Sequence, residues 1–282
     1  MFSWDKDGIT DDEFNKKIME THFYHKPLPS DNSIFKNNFN GSNPSTSLDD
    51  SHYDDDWEII LNENNMTVLR QQIDQGDQYK YKVHGTFDDI PAWAFYKAQV
   101  DTEYRKKWDK YVLNLDMLQR NPKMDCEVIR WVVCFPYPMY DREYIFVRRH
   151  KFDPSKNVIA VLSRSIPYPT PPIDKKFVRV DRYSSNLFIK PHETIEKNGF
   201  DFVLEYNDDP QSMFPNTVYS WVTKSGIVDF LNRLHDAAKE LCQSDPCISK
   251  PSECIKMPKE DIRISTSNLL NDSRELPSRS FS

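Results

Sequence analysis

The sequence predicts an α+β fold, in which a long antiparallel sheet is followed by one amphipathic helix. Segments with strand character outnumber helical ones, and they do not alternate with helices as a doubly wound sheet would require. Turn-forming runs such as DPSKN, HETIEKNG and NDDPQSMFPN separate the strands. With 282 residues and 38% hydrophobic content, the chain is long enough to form one sizeable core.

The first 56 residues are predicted to form an acidic arm. They hold 12 Asp and Glu but five Lys and Arg, which leaves 32 residues of each sign in a neutral body. A neutral body argues against nucleic acid as a partner. Residues 24–56 are rich in Asn, Ser, Asp and Pro, a composition typical of a linker.

A short amphipathic helix is predicted within this arm, over residues 10–23. Thr10 and Glu13 fit a capping box at its start. Phe14 and Ile18 lie one turn apart, so they share one apolar face.

The folded body is predicted to span residues 57–242, and a tail rich in Ser, Pro and charge follows over 243–282. Its helices are predicted at 91–100, 101–111 and 227–242. Its strands are predicted at about 66–72, 78–84, 126–134, 144–152, 157–164, 177–183, 186–190, 200–206 and 217–223.

These strands carry apolar side chains on both faces. In CEVIRWVVC, Ile129, Trp131 and Val133 lie on one face, and Val128 and Val132 lie on the other. A sheet with one face in water should alternate apolar and polar residues. Two explanations remain open: helices and loops bury both faces, or a curved sheet encloses an apolar cavity that the last helix closes.

The stretch FPYPMYDREY separates two good strands. Pro136 and Pro138 each lack a backbone donor, so neither fits inside a paired central strand. The stretch therefore predicts a corner, after which the next strand begins with Arg142.

Motifs of several enzyme and metal-site classes are missing from the sequence. The six glycines form no GxGxxG, P-loop or GxSxG pattern, and His192–Glu193 does not continue into HExxH. The five cysteines form no CxxC pair, which favours free thiols in a reducing compartment. We expect no catalytic residue, no metal site and no cofactor.

Targeting signals are also missing from the visible sequence. The opening MFSWDKDGIT lacks the basic start and apolar run of a signal peptide, and it is acidic, unlike a mitochondrial presequence. No run of 18 apolar residues occurs. The expected location is the cytoplasm, with no import signal in this chain.

Several ordered motifs resemble one known family. They are DTEYRKKWD, WVVCFPYPMYDREYIFVRR, FVRVDRYSSNLFIKP, FDFVLEYNDDP and SWVTKSGIVDFLNRLHDAAK. Together they are similar to a START (StAR-related lipid transfer) domain of the phosphatidylcholine branch. The resemblance covers residues 57–242 well and residues 2–20 loosely.

The resemblance implies a helix-grip fold, a curved sheet around a lipid tunnel closed by the C-terminal helix. In the family this helix and one loop form the gate, which here would be 227–242 and 165–176. The implied gate residues are Tyr168, Pro169, Phe230, Leu231 and Leu234.

Arg142 occupies the position that, in relatives, binds the lipid phosphate. A guanidinium can hold a phosphate through two parallel hydrogen bonds, and a buried one requires an anionic partner. The alternative is a structural ion pair with Asp141, Glu143 or Glu127.

The resemblance also implies an aromatic cage for a choline headgroup, since aromatic faces bind quaternary ammonium ions. Tyr206 fits one cage position best. The further headgroup or tunnel-lining candidates are Trp131, Tyr183, Phe188, Phe135 and Ile159.

The expected function is that of a monomeric carrier that binds one phospholipid in an internal tunnel, with phosphatidylcholine as the first candidate, and transfers it between membranes during transient contacts. Association with mitochondria is consistent with the resemblance. The alternatives are a START-fold binder of sterol, ceramide or another lipid, and an adaptor that lipid regulates.

Overall fold

A computed structural model describes residues 2–23, 57–63, 65–73, 78–135, 139–169, 176–209 and 226–244. The helices in these ranges are α1 (Trp4–Asp7), α2 (Asp11–Glu20), α3 (Ala92–Val100), α4 (Thr102–Trp108) and α5 (Ile227–Ser244). The strands are β1 (Glu58–Glu63), β2 (Met66–Gln72), β3 (Tyr79–Pro91), β4 (Val112–Asn121), β5 (Cys126–Val133), β6 (Asp141–Asp153), β7 (Val158–Ser165), β8 (Phe177–Val180), β9 (Tyr183–Pro191) and β10 (Asn198–Asp208).

The strands form one sheet in the order β1-β2-β3-β10-β9-β7-β6-β5-β4, and every neighbouring pair in that order is antiparallel. The short strand β8 pairs with β6 in parallel. Helix α5 contributes Leu231, Leu234 and Ala238 to the same core as the inner face of the sheet. This architecture confirms the predicted α+β, helix-grip fold.

The structure adds two strands that the sequence did not indicate. Strands β1 and β4 are the two ends of the sheet, and most of their side chains are partly exposed. Such edge strands lack the buried apolar pattern on which strand prediction depends. The predicted strand at 217–223, the corner prolines Pro136 and Pro138, the linker at 24–56 and all but the start of the 243–282 tail lie outside the described residues.

The sequence left two explanations for strands with apolar side chains on both faces, and both apply: each face is buried, and a cavity lies between the sheet and the last helix. The inner face packs against α3, α4 and α5. The outer face of β5, β6 and β7 is covered by the N-terminal segment, which we define as residues 2–23. Ile9, Phe14 and Ile18 from this segment are buried against outward side chains of the sheet, including Val128 and Val147.

Two arginines attach the N-terminal segment to the sheet. Arg149 is buried, and it donates to the carbonyl of Ile9 at 3.0 Å and to the carboxylate of Asp11 at 2.7 Å. Arg164 donates to the Gly8 carbonyl at 3.1 Å and to Glu13 at 3.0 Å. The segment is therefore bound by charge-assisted hydrogen bonds as well as by apolar burial.

The start of α2 agrees with the capping prediction. The Thr10 hydroxyl accepts a hydrogen bond from the Glu13 backbone N–H at 3.1 Å. Just before it, a Cβ on Gly8 would lie 2.5 Å from the Trp4 carbonyl oxygen and 2.7 Å from the Met124 Cε. Only glycine permits the chain to approach itself so closely at this point.

Acid is expected to destabilise the fold because His84 is buried. Burial, followed by the charges of Lys82 and His22, lowers the pKa of His84 from 6.5 to about 3. The unfolded chain therefore binds a proton at this residue that the folded chain does not bind. Stability is full above about pH 6.5 and falls as the pH decreases toward 3, by an amount on the order of 5 kcal/mol.

Urea unfolding at pH 7, 5.5 and 4 measures this effect. We expect His84→Gln to flatten the loss of unfolding free energy over this range relative to the unmodified chain. Identical pH dependence in both proteins would contradict the role of His84.

Candidate functional site

A cavity of about 160 Å³ lies between α5 and the inner face of the sheet. Its described walls come from α3, α4, β5, β6, β9, β10 and α5. Most of the lining side chains are aliphatic or aromatic. The polar minority is therefore expected to set the orientation of any bound molecule.

Four aromatic side chains form one wall of the cavity. Trp131 and Tyr144 have ring centroids 4.9 Å apart, Tyr144 and Tyr183 5.2 Å, and Tyr183 and Tyr206 6.0 Å. Trp131 of β5 and Tyr144 of β6 are direct partners across their two strands, so their side chains lie on the same face of the sheet. We call these four residues the aromatic cluster.

A carboxylate lies beside the aromatic cluster. Asp208 accepts hydrogen bonds from the hydroxyls of Tyr144 at 2.9 Å and Tyr206 at 3.0 Å. Burial raises the pKa of Asp208, although the two hydroxyls and Arg142 oppose that shift. Burial also raises the pKa values of Tyr144 and Tyr206, with the charge of Asp208 adding to the effect. The tyrosines therefore keep their protons at neutral pH and donate hydrogen bonds to Asp208.

Arg142 lies two residues before Tyr144 on the same face of β6, and only 2% of its surface is exposed. Its guanidinium lies 4.8 Å from the centre of the Phe135 ring and donates to the Tyr140 carbonyl. Burial lowers the pKa of Arg142, while the charges of Tyr144, Asp208 and Asp141 raise it. A cation buried this deeply is stabilised by nearby anionic groups.

Two of the three carboxylates considered as structural partners of Arg142 bind other cations. Glu143 pairs with Arg130 and Arg179, each at 2.6 Å. Glu127 pairs with Arg148 at 2.8 Å. Asp141 acts on Arg142 through its charge, as Tyr144 and Asp208 also do.

Four of the headgroup and tunnel candidates line the cavity, namely Trp131, Tyr183, Tyr206 and Phe135. Ile159 also lies on the inner face, but it is fully buried in the core rather than in the cavity wall. The prediction that Phe188 lines the tunnel is wrong, because its side chain faces outward into the core beneath the N-terminal segment. It lies five residues after Tyr183 on one strand, and an odd separation puts two side chains on opposite faces.

The predicted gate residues fall into two groups. Phe230, Leu231 and Leu234 on α5 line the cavity. Tyr168 packs on the outer side of the sheet, where its ring lies 5.2 Å from that of Phe2, and Pro169 beside it is exposed. Most of the remaining predicted gate loop, residues 170–175, lies outside the described residues.

The sequence did not single out the charged residues of the cavity wall. Arg105, Asp109 and Arg233 line the cavity together with Tyr144, which was also missed. Arg105 and Asp109 lie one turn apart, which is the one local signal that could have indicated their ion pair. Arg233 joins them only through the tertiary fold.

The described residues include no group of three or more His, Cys, Asp and Glu that could hold a metal ion. Among the same residues, no helix is long and apolar enough to cross a membrane.

Comparisons with known proteins agree with this geometry. A START domain matches residues 51–244. The mitochondrial StAR-related lipid transfer protein 7 of Mus musculus is 36% identical over 265 residues, which cover 90% of this chain and 70% of that protein. The phosphatidylcholine transfer protein of Mus musculus is 29% identical over 186 residues, covering 65% and 84%. The structure of human STARD10 has the same fold, with a TM-score of 0.59 and 18% identity over 72% of this chain and 83% of that one.

Proposed function

Because this chain belongs to the START family, we propose that it is a lipid carrier without enzymatic activity, which holds one phospholipid in the cavity and transfers it between membranes. The observation that best supports a phospholipid is the buried cation Arg142 beside an aromatic wall. A sterol or ceramide presents neither a phosphate nor a quaternary ammonium to such a pair of groups. Two curated relatives are named as lipid transfer proteins, which agrees with this proposal.

The polar groups in and beside the cavity match the two charges of phosphatidylcholine. Arg142 is not part of the cavity lining, but its neighbours Phe135 and Tyr144 are. Arg142 can bind the phosphate through two parallel N–H donors. The faces of the aromatic cluster suit the choline ammonium, and the carboxylate of Asp208 adds attraction for a cation. The lipid would thus lie with its phosphate near the start of β6 and its choline against the cluster.

Entry of a lipid requires the cavity to widen. Its volume of about 160 Å³ is below the range of roughly 300–1,000 Å³ that is usual for small-molecule sites. Helix α5 forms one wall with Phe230, Leu231 and Leu234, so we expect it to move outward as acyl chains enter. Burial of those chains then stabilises the complex by about 0.8 kcal/mol per CH₂.

Mitochondrial membranes are the proposed destination, since the relative that matches 90% of this chain is named as a mitochondrial protein. Docking would be transient, with the chain acting as a monomer from the cytoplasm.

A vesicle assay tests the proposed function. Donor vesicles carry fluorescent phosphatidylcholine, acceptor vesicles carry none, and the purified chain is added at increasing concentration. The transfer rate is expected to rise in proportion to the protein concentration. No transfer of phosphatidylcholine, with rapid transfer of fluorescent sterol or ceramide, would replace the proposed ligand.

Removing one ring of the aromatic cluster is expected to weaken choline recognition. Trp131→Leu deletes a cation–π partner, so the affinity for phosphatidylcholine should fall about tenfold relative to phosphatidic acid, which carries no choline. Competition between the two lipids measures this ratio. The control is Trp93→Leu, because Trp93 is a partly buried tryptophan of α3 that packs against Tyr96. An unchanged ratio in Trp131→Leu would show that the cluster does not select choline.

A further inference from the structure

Helix α5 is held by two sets of ionic contacts. On the outside, Asp89 of β3 pairs with His235 at 2.7 Å and with Lys239 at 2.8 Å; we call these the outer contacts. On the cavity side, Arg233 pairs with Asp109 at the end of α4, with 3.3 Å between Nη1 and Oδ1; we call this the inner contact. The Lys239 side chain is 54% exposed, whereas Asp109 is 2% exposed.

The inner contact belongs to the cavity wall. Arg233, Asp109 and Arg105 all line the cavity. The other oxygen of Asp109 accepts from Arg105 at 3.1 Å, so two guanidinium groups share one buried carboxylate. Asp229 contacts Arg233 at 3.2 Å and Lys110 at 3.7 Å near the surface. The charged residues that line the cavity here are two arginines and one carboxylate, so this part of the wall has a net charge of +1.

The two arginines are not equally bound. Arg105 contacts Asp109 through both Nε and Nη2 at 3.1 Å, and its guanidinium lies 4.8 Å from the Trp131 ring and 5.2 Å from the Phe230 ring. Arg233 contacts Asp109 through Nη1 alone, at the longer distance of 3.3 Å, although its guanidinium also lies 4.6 Å from the centre of the Tyr111 ring. The difference between the two arginines is therefore in their contact with Asp109, and not in their contact with aromatic rings. If Arg233 leaves, Asp109 keeps its two-point contact with Arg105. The inner contact can therefore be exchanged without leaving a buried carboxylate unpaired.

We propose that Arg233 exchanges Asp109 for a phosphate oxygen of the lipid that passes through the cavity. This inference rests on the proposed function and deepens it, because it assigns to the moving helix a residue that selects lipids with an anionic phosphate. A phosphate can accept two parallel hydrogen bonds from the guanidinium, whereas Asp109 accepts only one from Arg233. A neutral lipid has no anionic oxygen to offer, so the inner contact stays closed and α5 stays in place.

The test compares two lipids in the vesicle assay with the full chain. Fluorescent phosphatidylcholine and fluorescent diacylglycerol carry the same acyl chains, but only phosphatidylcholine has a phosphocholine headgroup, whose phosphate is the group that Arg233 would bind. Arg233→Gln is expected to lower the preference for phosphatidylcholine over diacylglycerol by about tenfold. The matched control is Lys239→Gln, which removes an outer contact of the same helix; it should change both rates by one common factor.

Three outcomes separate the possibilities. A tenfold loss of preference in Arg233→Gln, with the ratio preserved in Lys239→Gln, supports the exchange. An unchanged ratio in Arg233→Gln overturns it while leaving the carrier function intact. No phosphatidylcholine transfer by the unmodified chain removes the proposed function and this inference with it. If circular dichroism shows that Arg233→Gln does not fold, Arg233→Lys serves in its place; its single-point cation should reduce the preference, and an unchanged preference overturns the proposal.

Discussion

Replacing Arg142 by glutamine is expected to reduce transfer of phosphatidylcholine by at least about a hundredfold. The guanidinium is the proposed phosphate ligand, and the loss of two charge-assisted hydrogen bonds in a buried site corresponds to about 3 kcal/mol or more. Glutamine is polar and slightly smaller, and Asp208 still accepts hydrogen bonds from Tyr144 and Tyr206 when the guanidinium is removed, so the sheet is expected to keep its fold. The rate in the vesicle assay measures the effect, with the thermal midpoint as the check on folding.

Arg70→Gln is the matched control for this substitution. Arg70 pairs with Glu58 at 2.7 Å near the edge of the sheet, outside the cavity lining, and an ion pair this exposed contributes little to stability. Transfer by this variant should equal that of the unmodified chain. Arg142→Gln with a normal transfer rate would show that the phosphate is bound elsewhere and that Arg142 is a structural cation.

Replacing Phe14 by alanine is expected to lower the free energy of unfolding by about 3 kcal/mol or more. Phe14 is 2% exposed and packs on the outer face of the sheet with Ile9 and Ile18. Its ring also lies 5.3 Å from the guanidinium of Arg149, which holds the N-terminal segment. Loss of the ring therefore leaves a cavity beneath α2 and weakens a buried attachment.

Met19→Ala is the control, since Met19 lies on the same helix and is 74% exposed. It should change the unfolding free energy by less than about 0.5 kcal/mol. Urea titrations of the two variants give the comparison directly. Equal and small effects would mean that the N-terminal segment is not part of the folded unit.

The N-terminal segment illustrates what local sequence can and cannot predict. The capping of α2 by Thr10 was predictable, because the Thr10 hydroxyl and the Glu13 N–H are three residues apart. Its packing site was not, because the contact of Asp11 with Arg149 joins residues 138 positions apart. The segment was predicted as part of an acidic arm with one amphipathic helix, and the structure shows that it covers the outer face of β5, β6 and β7.

For the aromatic cluster, too, the sequence could predict some features and not others. Strand periodicity puts Phe188 and Tyr183 on opposite faces only because one strand, β9, holds both residues, whereas the sequence predicted two strands, at 177–183 and 186–190. Tyr144 could have been predicted from the sequence, since it lies two residues after Arg142 and therefore on the same face of one strand. The bonds from Tyr144 and Tyr206 to Asp208 required the tertiary structure, because they depend on how β6 and β10 approach each other.

The charged wall of the cavity was beyond sequence reasoning for a different reason. Arg105 and Asp109 form an i, i+4 pair, which on most helices is a solvent-exposed feature. Nothing local indicates that this pair is buried, or that Arg233 from a helix more than 120 residues later meets it.

Native mass spectrometry tests the central claim most directly. The chain is incubated with phosphatidylcholine vesicles, separated from them by gel filtration, and weighed intact. The account predicts one added mass per chain, equal to one phosphatidylcholine, and its loss in Arg142→Gln. A chain that emerges without lipid, or that binds sterol in preference to phosphatidylcholine when both are offered, would contradict it.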